Sequence, residues 1–145
     1  MTRPYKPTDR SSVLALVRLN TPEYFHPSEE EDLSFYLENE LEDYFVVEEN
    51  GEVVGAGGIN YFPEEHSARI SWDVVSPDFH GKGIGGRLTK FRVDHAFSKS
   101  SVQTIVVRTS HLVHQFYEKQ GFELEKVVKD YWAEGYDLYL MRYKK

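Results

Sequence analysis

The chain has 145 residues, of which 40% are hydrophobic, and carries a formal net charge of −7; this predicts one globular domain over residues 1–145 with a sizeable core. It contains no cysteine, which excludes disulfides, zinc–thiolate sites and a cysteine nucleophile. No apolar run approaches the ~20 residues of a membrane span, and the first residues lack the apolar stretch of a signal peptide, so we expect a cytoplasmic protein without a membrane partner.

The first third of the chain predicts one short strand and two helices. Residues 2–6 can form an edge strand. Thr8 or Asp9 can cap a helix that ends at Thr21-Pro22. The run Ser28-Glu29-Glu30-Glu31 has the pattern of a capping box, and the helix that it opens carries apolar side chains at helical spacing: Leu33, Tyr36, Leu37 and Leu41.

The middle of the chain predicts three strands. Asn50-Gly51 is a strong signal for a tight hairpin, and it joins a strand over 44–49 to a strand over 52–60. A turn at 62–66 then leads to a third strand, Ser67–Val75, which stops before Pro77. Consecutive strands joined by short turns are expected to be neighbours in one sheet.

Residues 74–90 are the most informative stretch of the sequence. Four glycines (Gly81, Gly83, Gly85 and Gly86) follow the third strand, and then apolar residues recur at helical spacing. A strand, a glycine loop and a helix in this order aim backbone N–H groups and the positive end of a helix dipole at one point. Glycine also lets a phosphate approach the backbone closely. The stretch therefore predicts a phosphate-binding loop.

Two familiar phosphate-binding loops fit this stretch poorly. Gly81, Gly83 and Gly86 satisfy the dinucleotide fingerprint, but the loop lies mid-chain and the apolar run Ile105-Val106-Val107 stands where an acidic residue is expected. No Lys-Ser/Thr pair follows the glycines, so the nucleoside-triphosphate P-loop is also excluded.

The last third of the chain predicts a strand, a helix and two more strands. The strand covers Gln103 to Arg108, and the helix runs from a cap at Ser110 through Lys119 to a terminating Gly121. Two strands, Phe122 to Asp130 and Tyr136 to Met141, are joined by a loop. The whole order is β-αα-βββ-α-β-α-ββ, which predicts an α/β fold whose mixed sheet has helices on both faces.

Two blocks of the sequence resemble motifs of the GNAT superfamily of N-acetyltransferases. Val75-Ser-Pro-Asp-Phe-His-Gly-Lys-Gly-Ile-Gly is similar to its acetyl-CoA loop, whose core is Gln/Arg-x-x-Gly-x-Gly/Ala, although His80 occupies the Gln/Arg position. Phe116-Tyr-Glu-Lys-Gln-Gly-Phe122 is similar to its Phe-Tyr-x-Lys-x-Gly-Phe block. The order of elements is also that of the family, so the resemblance covers nearly the whole chain and implies a GNAT-like fold.

The resemblance implies where acetyl-CoA binds. In the family, the strand before the glycine loop parts from the strand at 104–107, and acetyl-CoA lies in the gap. Backbone groups of Val74 and Val75 would bind the pantetheine and the acetyl carbonyl, and loop amides would bind the pyrophosphate. The implied contacts are Val74, Val75, His80, Gly81, Lys82, Gly83, Ile84, Gly85, Gly86, Arg87, Ser110 and Tyr117. Lys90 or Arg92 could add a further positive charge at the phosphates.

The catalytic roles follow from the chemistry of acetyl transfer to an amine. Tyr117, the tyrosine of the second block, is implied as the general acid that protonates the departing CoA thiolate. The candidates for the general base are residues that we expect at or near the acceptor end of the central strands: Asp73, Glu64, Glu65 and His66. A water chain is an alternative. By strand alternation Asp73 should share a face with Ser71 and Val75. His111 and His114 lack a third ligand, so we expect no metal.

The distribution of charge bears on the acceptor. Residues 19–68 contain 14 acidic residues and no Lys or Arg, which argues against a nucleic-acid partner and favours a cationic amine. The sequence therefore predicts an acetyl-CoA-dependent N-acetyltransferase that works by direct attack in a ternary complex. A small amine and a peptide or protein amine (N-terminal or lysine) both remain open as acceptors, as does a homodimer. An alternative of another class is a non-catalytic acyl-CoA-binding sensor module.

Overall fold

The computed structural model describes residues 1–144, which form seven strands and four α-helices. The strands are β1 (Thr2–Pro4), β2 (Asp43–Glu49), β3 (Glu52–Phe62), β4 (Ser67–Val75), β5 (Thr104–Thr109), β6 (Glu123–Ala133) and β7 (Tyr136–Lys144). The helices are α1 (Arg10–Leu19), α2 (Glu29–Asn39), α3 (Ile84–Phe97) and α4 (His114–Lys119). The predicted order of elements is confirmed. Among these helices, none is long and apolar enough to span a membrane.

All seven strands belong to one sheet, in the order β1-β2-β3-β4-β5-β7-β6. Every pair is antiparallel except β4 and β5, which are parallel. The hairpin between β2 and β3 turns at Asn50 and Gly51, whose φ angles of 53° and 77° are those that a tight turn of this hand requires. The mixed α/β sheet is the fold class that the sequence predicts.

Two separate cores cover the two faces of the sheet. On one face α3 and α4 bury residues such as Leu88, Ala96 and Tyr117 against β3, β4 and β5. On the other face α1 and α2 bury Val13 and Leu33 against β2 and β3. The apolar spacing of each helix predicts the side that it buries, because residues three and four apart share one face.

The parallel pair is short, and this opens the fold at its centre. Residues Ser67 to Ile70 of β4 pair with Thr104 to Val107 of β5, and the pairing ends there. The rest of β4 continues beside β3 only, with Val74 opposite Ala56 and Val75 opposite Gly55. The second half of β4 therefore has one edge that no strand covers, which is the gap implied by the family resemblance.

A bulge at Trp72 reverses the side-chain alternation of β4. Trp72 has a φ of 52°, and the register with β3 shifts at this point. Ser71 hydrogen-bonds to Asn60 on the α2 side, whereas Asp73 faces α3. The prediction that Asp73 shares a face with Ser71 is wrong, because a bulge inserts an extra residue into the strand; Asp73 and Val75 do share a face.

Two of the predicted helix caps, those at Asp9 and Ser28, are wrong, because other groups use the capping side chains. The carboxylate of Asp9 accepts hydrogen bonds from the Arg3 guanidinium, at 2.8 and 3.0 Å, and not from the start of α1. Ser28 makes no cap bond, and its neighbour Glu29 accepts the N–H of His26 at 2.7 Å. Ser110 does cap a turn, because its hydroxyl accepts the N–H of Leu112 at 3.2 Å and its carbonyl accepts the N–H groups of residues 113 and 114, but α4 itself begins only at His114.

The C-terminal hairpin is longer than predicted. Strand β6 continues through Ala133, so only Glu134 and Gly135 remain in the turn. Asp130 has a φ of 53°, and its carboxylate accepts the N–H of Gly135 at 2.8 Å. The carboxylate of Asp137 in turn accepts the N–H of Asp130 at 2.9 Å. These two carboxylates accept backbone N–H groups that the irregular strand leaves unpaired. The strand can therefore include residues 131–133, which the sequence predicts as a loop.

A buried ion pair joins β4 to α3. Arg92 is fully buried and donates to both carboxylate oxygens of Asp73, at 2.5 and 2.6 Å, and to the carbonyl of Gly58 at 3.1 Å. Burial alone acts to lower the pKa of Arg92, but the attraction of Asp73 outweighs it and the pKa is raised. Arg92 was a candidate phosphate ligand from sequence; its burial in the core excludes that role.

This pair gives a test of the fold. Arg92→Met leaves the Asp73 carboxylate buried without its cation, so we expect the free energy of unfolding to fall by about 3–5 kcal/mol. The double variant Asp73→Leu/Arg92→Met removes both charges, so its free energy of unfolding should fall by less than that of Arg92→Met alone. Arg87→Met, on the exposed side of α3, is the matched control and should cost about 0.5 kcal/mol or less. Urea unfolding measures all three, and a double variant that loses as much free energy of unfolding as Arg92→Met, or more, would contradict the account.

Candidate active site

A cavity of about 880 Å³ fills the gap between the diverging ends of β4 and β5. It extends from the glycine loop past Tyr117 to the C-terminal hairpin and to the loop after α1, where Tyr24 and Phe25 line it. Ten of the twelve predicted cofactor contacts line it: Val74, Val75, His80, Gly81, Gly83, Ile84, Gly85, Gly86, Ser110 and Tyr117. One cavity thus brings together both sequence blocks, although they are more than twenty residues apart in the chain.

The glycine loop offers unpaired backbone amides to this cavity. Gly81 and Gly83 have φ angles of 78° and 82°, which favour glycine strongly, and a Cβ at either position would meet open space. Gly83 is the residue before α3, whose first-turn N–H groups have no carbonyl one turn earlier. An anion in front of Gly83 would therefore meet several N–H donors and the positive end of the α3 dipole.

The remaining two predicted contacts lie outside the cavity lining. The ammonium of Lys82 lies 5.2 Å from the ring centroid of Phe79, and the guanidinium of Arg87 forms an exposed ion pair with Glu49 at 3.3 Å. Both are solvated cations beside the loop, where long side chains can reach a phosphate that extends beyond the cavity.

One carbonyl group on the open edge of β4, that of Val75, already has hydrogen-bond partners within the protein. The N–H of Ser76 donates to Val54 of β3, so the N–H and C=O of Val75 point the other way, toward the gap. The carbonyl of Val75 accepts a hydrogen bond from Asn20 at 3.0 Å and lies 3.0 Å from Nε2 of His80. Val75 can therefore offer its N–H to a ligand, and one ring nitrogen of His80 is engaged by the Val75 carbonyl.

Tyr117 lies at the centre of the cavity and is tied to the buried ion pair. Its hydroxyl donates to Oδ2 of Asp73, the carboxylate that Arg92 holds through both oxygens. Burial raises the pKa of Tyr117 well above its ordinary value, and the negative charge of Asp73 adds to this. Tyr117 is therefore protonated at neutral pH and has a proton to donate.

Asp73 and Glu64, two of the groups that the sequence offers as general bases, are placed very differently. Asp73 lines the cavity, but both of its oxygens already accept hydrogen bonds from Arg92. Glu64 is exposed in the turn before β4 and does not line the cavity, so the expectation that it lies at the acceptor end is wrong. The turn precedes the first residue of β4, whereas the open edge belongs to the end of that strand.

Glu29 is a cavity carboxylate that sequence reasoning missed. It lies in the first turn of α2, where the sequence suggests only that its negative charge interacts favourably with the helix dipole. In the structure it lines the cavity, and burial raises its pKa, against the effect of the hydrogen bond from the N–H of His26. Within residues 1–144, no group of three or more His, Asp or Glu side chains is arranged to hold a metal ion.

Aromatic side chains line the part of the cavity between the loop after α1 and the C-terminal hairpin. Trp72 stacks on Phe25 with 6.5 Å between ring centroids. From the C-terminal hairpin, the indole N–H of Trp132 donates to the carbonyl of Thr109 at 3.2 Å, and the hydroxyl of Tyr136 donates to the carbonyl of Pro22 at 2.9 Å. The hairpin is thereby fastened to the loop after α1, and together they wall the cavity.

Comparison with known proteins agrees with this geometry. Residues 13–122 match the family model described as "Acetyltransferase (GNAT) family". Over 88 residues the chain is 26% identical to the amino-acid acetyltransferase of Vibrio atlanticus (strain LGP32), a match that takes in 61% of this chain and only 20% of that relative's length.

Solved structures of known acetyltransferases share the fold over nearly the whole chain. An aminoglycoside 6'-N-acetyltransferase complexed with coenzyme A superposes with a TM-score of 0.79 at 18% identity, covering 99% of this chain and 96% of the other. A ribosomal-protein-alanine N-acetyltransferase from Brucella melitensis gives a TM-score of 0.74 at 19% identity, covering 100% and 99%. The family model covers most of the sequence and the cavity lies where the family motifs meet, so this chain belongs to the GNAT family of acetyltransferases.

Proposed function

We propose that this protein transfers the acetyl group of acetyl-CoA to a primary amine by direct attack, with both substrates bound in the central cavity. The observation that carries the proposal is the meeting of the glycine loop, the open edge of β4 and Tyr117 in one cavity of about 880 Å³. When bound there, acetyl-CoA supplies a thioester whose acetyl group passes to the amine. The absence of cysteine from the sequence agrees with transfer that needs no thiol nucleophile.

The chain provides two kinds of donor for acetyl-CoA. The amides of Gly83, Gly85 and Gly86 face the cavity and suit the pyrophosphate. The N–H of Val75 faces the gap and suits the acetyl carbonyl, where a fixed donor stabilises negative charge that grows on that oxygen as the amine attacks. A solved aminoglycoside 6'-N-acetyltransferase of the same fold is complexed with coenzyme A, which supports this arrangement.

Proton transfer is assigned to residues that line the cavity. Tyr117 donates its proton to the departing thiolate, and Arg92 offsets the charge that remains on the phenol oxygen. Asp73 orients the hydroxyl of Tyr117 and so acts as a positioning residue. Glu29 takes the proton of the amine, directly or through water, because a carboxylate with a raised pKa is a better base near neutral pH.

The acceptor is proposed to be a small amine. The C-terminal hairpin is hydrogen-bonded to the loop after α1 through Tyr136 and Pro22, and this contact covers one side of the cavity, which favours a small acceptor over an extended peptide. Glu29 and Glu40 line the same cavity and favour the ammonium form of an approaching amine. Acetylation of basic peptides but of no small amine would reverse this choice.

Placement of the cofactor can be tested at Gly83. Gly83→Asp puts a carboxylate where the pyrophosphate is proposed to bind, so the affinity for CoA should fall by about 100-fold or more. Gly51→Asp is a matched control, because Gly51 has a similar φ of 77° and equally open surroundings but lies in the β2–β3 hairpin. Titration calorimetry with both folded variants measures the difference. Undiminished CoA binding by Gly83→Asp would show that the pyrophosphate lies elsewhere.

The catalytic role can be tested at Tyr117. Tyr117→Phe removes only the hydroxyl, so kcat should fall by about 10²–10⁴ while CoA affinity stays nearly constant. Tyr61→Phe removes a hydroxyl that also donates to a carboxylate, Asp43 at 2.6 Å, but lies outside the cavity, and it should leave kcat unchanged. Thiol release from acetyl-CoA with a panel of amines is the measurement. Full activity of Tyr117→Phe would assign this tyrosine a structural role only, and no release with any amine or basic peptide would favour a non-catalytic acyl-CoA-binding module.

A further inference from the structure

Two arginines lie side by side at the base of the gap between β4 and β5. Arg69 of β4 is opposite Val106, and Arg108 is two residues farther along β5, so both side chains project from the same face of the sheet. Their charges interact: the pKa of Arg69 is lowered, first by burial and then by the nearby positive charge of Arg108.

Neither arginine has a carboxylate partner within residues 1–144. Arg108 donates to the hydroxyl of Tyr131, and its guanidinium lies 5.4 Å from the ring centroid of Trp132. Arg69 lies 5.0 Å from the ring centroid of Phe62. All six other arginines form ion pairs with acidic side chains: Arg3, Arg10, Arg18, Arg87, Arg92 and Arg142. These two adjacent, partly buried cations therefore form no ion pair with any residue that the structure describes.

Both unpaired arginines line the central cavity together with Asp73 and Tyr117. They also line a smaller cavity of about 260 Å³ on the same face of the sheet. Glu40 lines the large cavity and Glu65 the small one, but in the described part of the chain neither comes within ion-pairing distance of these arginines. Two like charges held together in a partly desolvated site favour the binding of an anion.

We propose that the acceptor is a small amino acid whose carboxylate binds Arg69 and Arg108 while its amine is directed toward Tyr117. The proposal rests on the proposed acetyltransferase function and names the class of its acceptor. Guanidinium groups recognise carboxylates through paired, charge-assisted hydrogen bonds, and Arg69 and Arg108 offer two such groups from neighbouring strands. Glu29 and Glu40 receive the ammonium end, so the cavity complements a zwitterion and not a polycation.

Matched substrates test this proposal without any mutation. Each amino acid is compared with its own amide, which keeps the amine and the side chain but removes the negative charge. The best acceptor should be a free amino acid, and its kcat/KM should exceed that of its amide by about 10–100-fold. Equal or better use of the amides, or of polyamines, would overturn the proposal while leaving the acetyltransferase function intact.

Variants then assign the preference to the two arginines. Arg69→Gln and Arg108→Gln should each lower kcat/KM for the amino acid by about 10–100-fold, mainly through KM, and leave the amide nearly unaffected. Arg142→Gln is the matched control: Arg142 lies on the same sheet face opposite Val106, lines only the smaller cavity, and pairs with Glu125 at 2.6 Å. It should keep the wild-type preference. An unchanged preference in both Arg69→Gln and Arg108→Gln would contradict the assignment.

A binding measurement separates failure of this inference from failure of the proposed function. In the presence of CoA, free amino acids should raise the Tm of the wild-type protein, and this shift should be lost in Arg69→Gln and Arg108→Gln. If no amine is acetylated but the Tm shift depends on the arginines, the catalytic function fails and the carboxylate site stands. If amines are acetylated but no amino acid shifts the Tm, the carboxylate site is refuted.

Discussion

The early separation of β4 from β5 is the constraint on which the site depends. Four residues of each strand pair, and beyond Ile70 and Val107 the strands diverge. Divergence leaves backbone hydrogen-bonding groups of β4 without a strand partner, and a ligand or a side chain must satisfy them. Asn20 and His80 hydrogen-bond to the carbonyl of Val75, so the N–H of the same residue is the group that can bind a ligand. The cavity, the loop and Tyr117 are arranged around this opening.

The opening also explains why charged groups can be placed so deep in a small protein. Arg92 and Asp73 compensate each other behind the gap, and Tyr117 joins them through its hydroxyl. Arg69 and Arg108, at the base of the gap, have no such compensation within residues 1–144. A buried cation with a built-in partner supports structure, whereas adjacent cations without one imply that the missing charge arrives with a ligand.

The sequence predicts the features that local chemistry determines and misses those that depend on long-range contacts. The order of elements, the Asn50-Gly51 hairpin and the glycine loop follow from periodicity and backbone preference, and the structure contains all three. The caps at Asp9 and Ser28 fail because Arg3 binds the Asp9 carboxylate and the His26 ring lies 2.8 Å from the Ser28 hydroxyl, and no local pattern relates either residue to a helix start. The bulge at Trp72 and the burial of Arg92 depend on β3 and α3 packing together, which residue spacing does not record.

The central claim, direct transfer between two substrates in one cavity, is tested most directly by initial-velocity kinetics. Rates are measured over a grid of acetyl-CoA and acceptor concentrations with the best acceptor from an amine panel, and the intact protein mass is recorded after incubation with acetyl-CoA alone. Both substrates must bind before reaction, so double-reciprocal plots should intersect and the protein should carry no acetyl group. Parallel lines together with an acetylated protein would show a covalent intermediate and contradict the account.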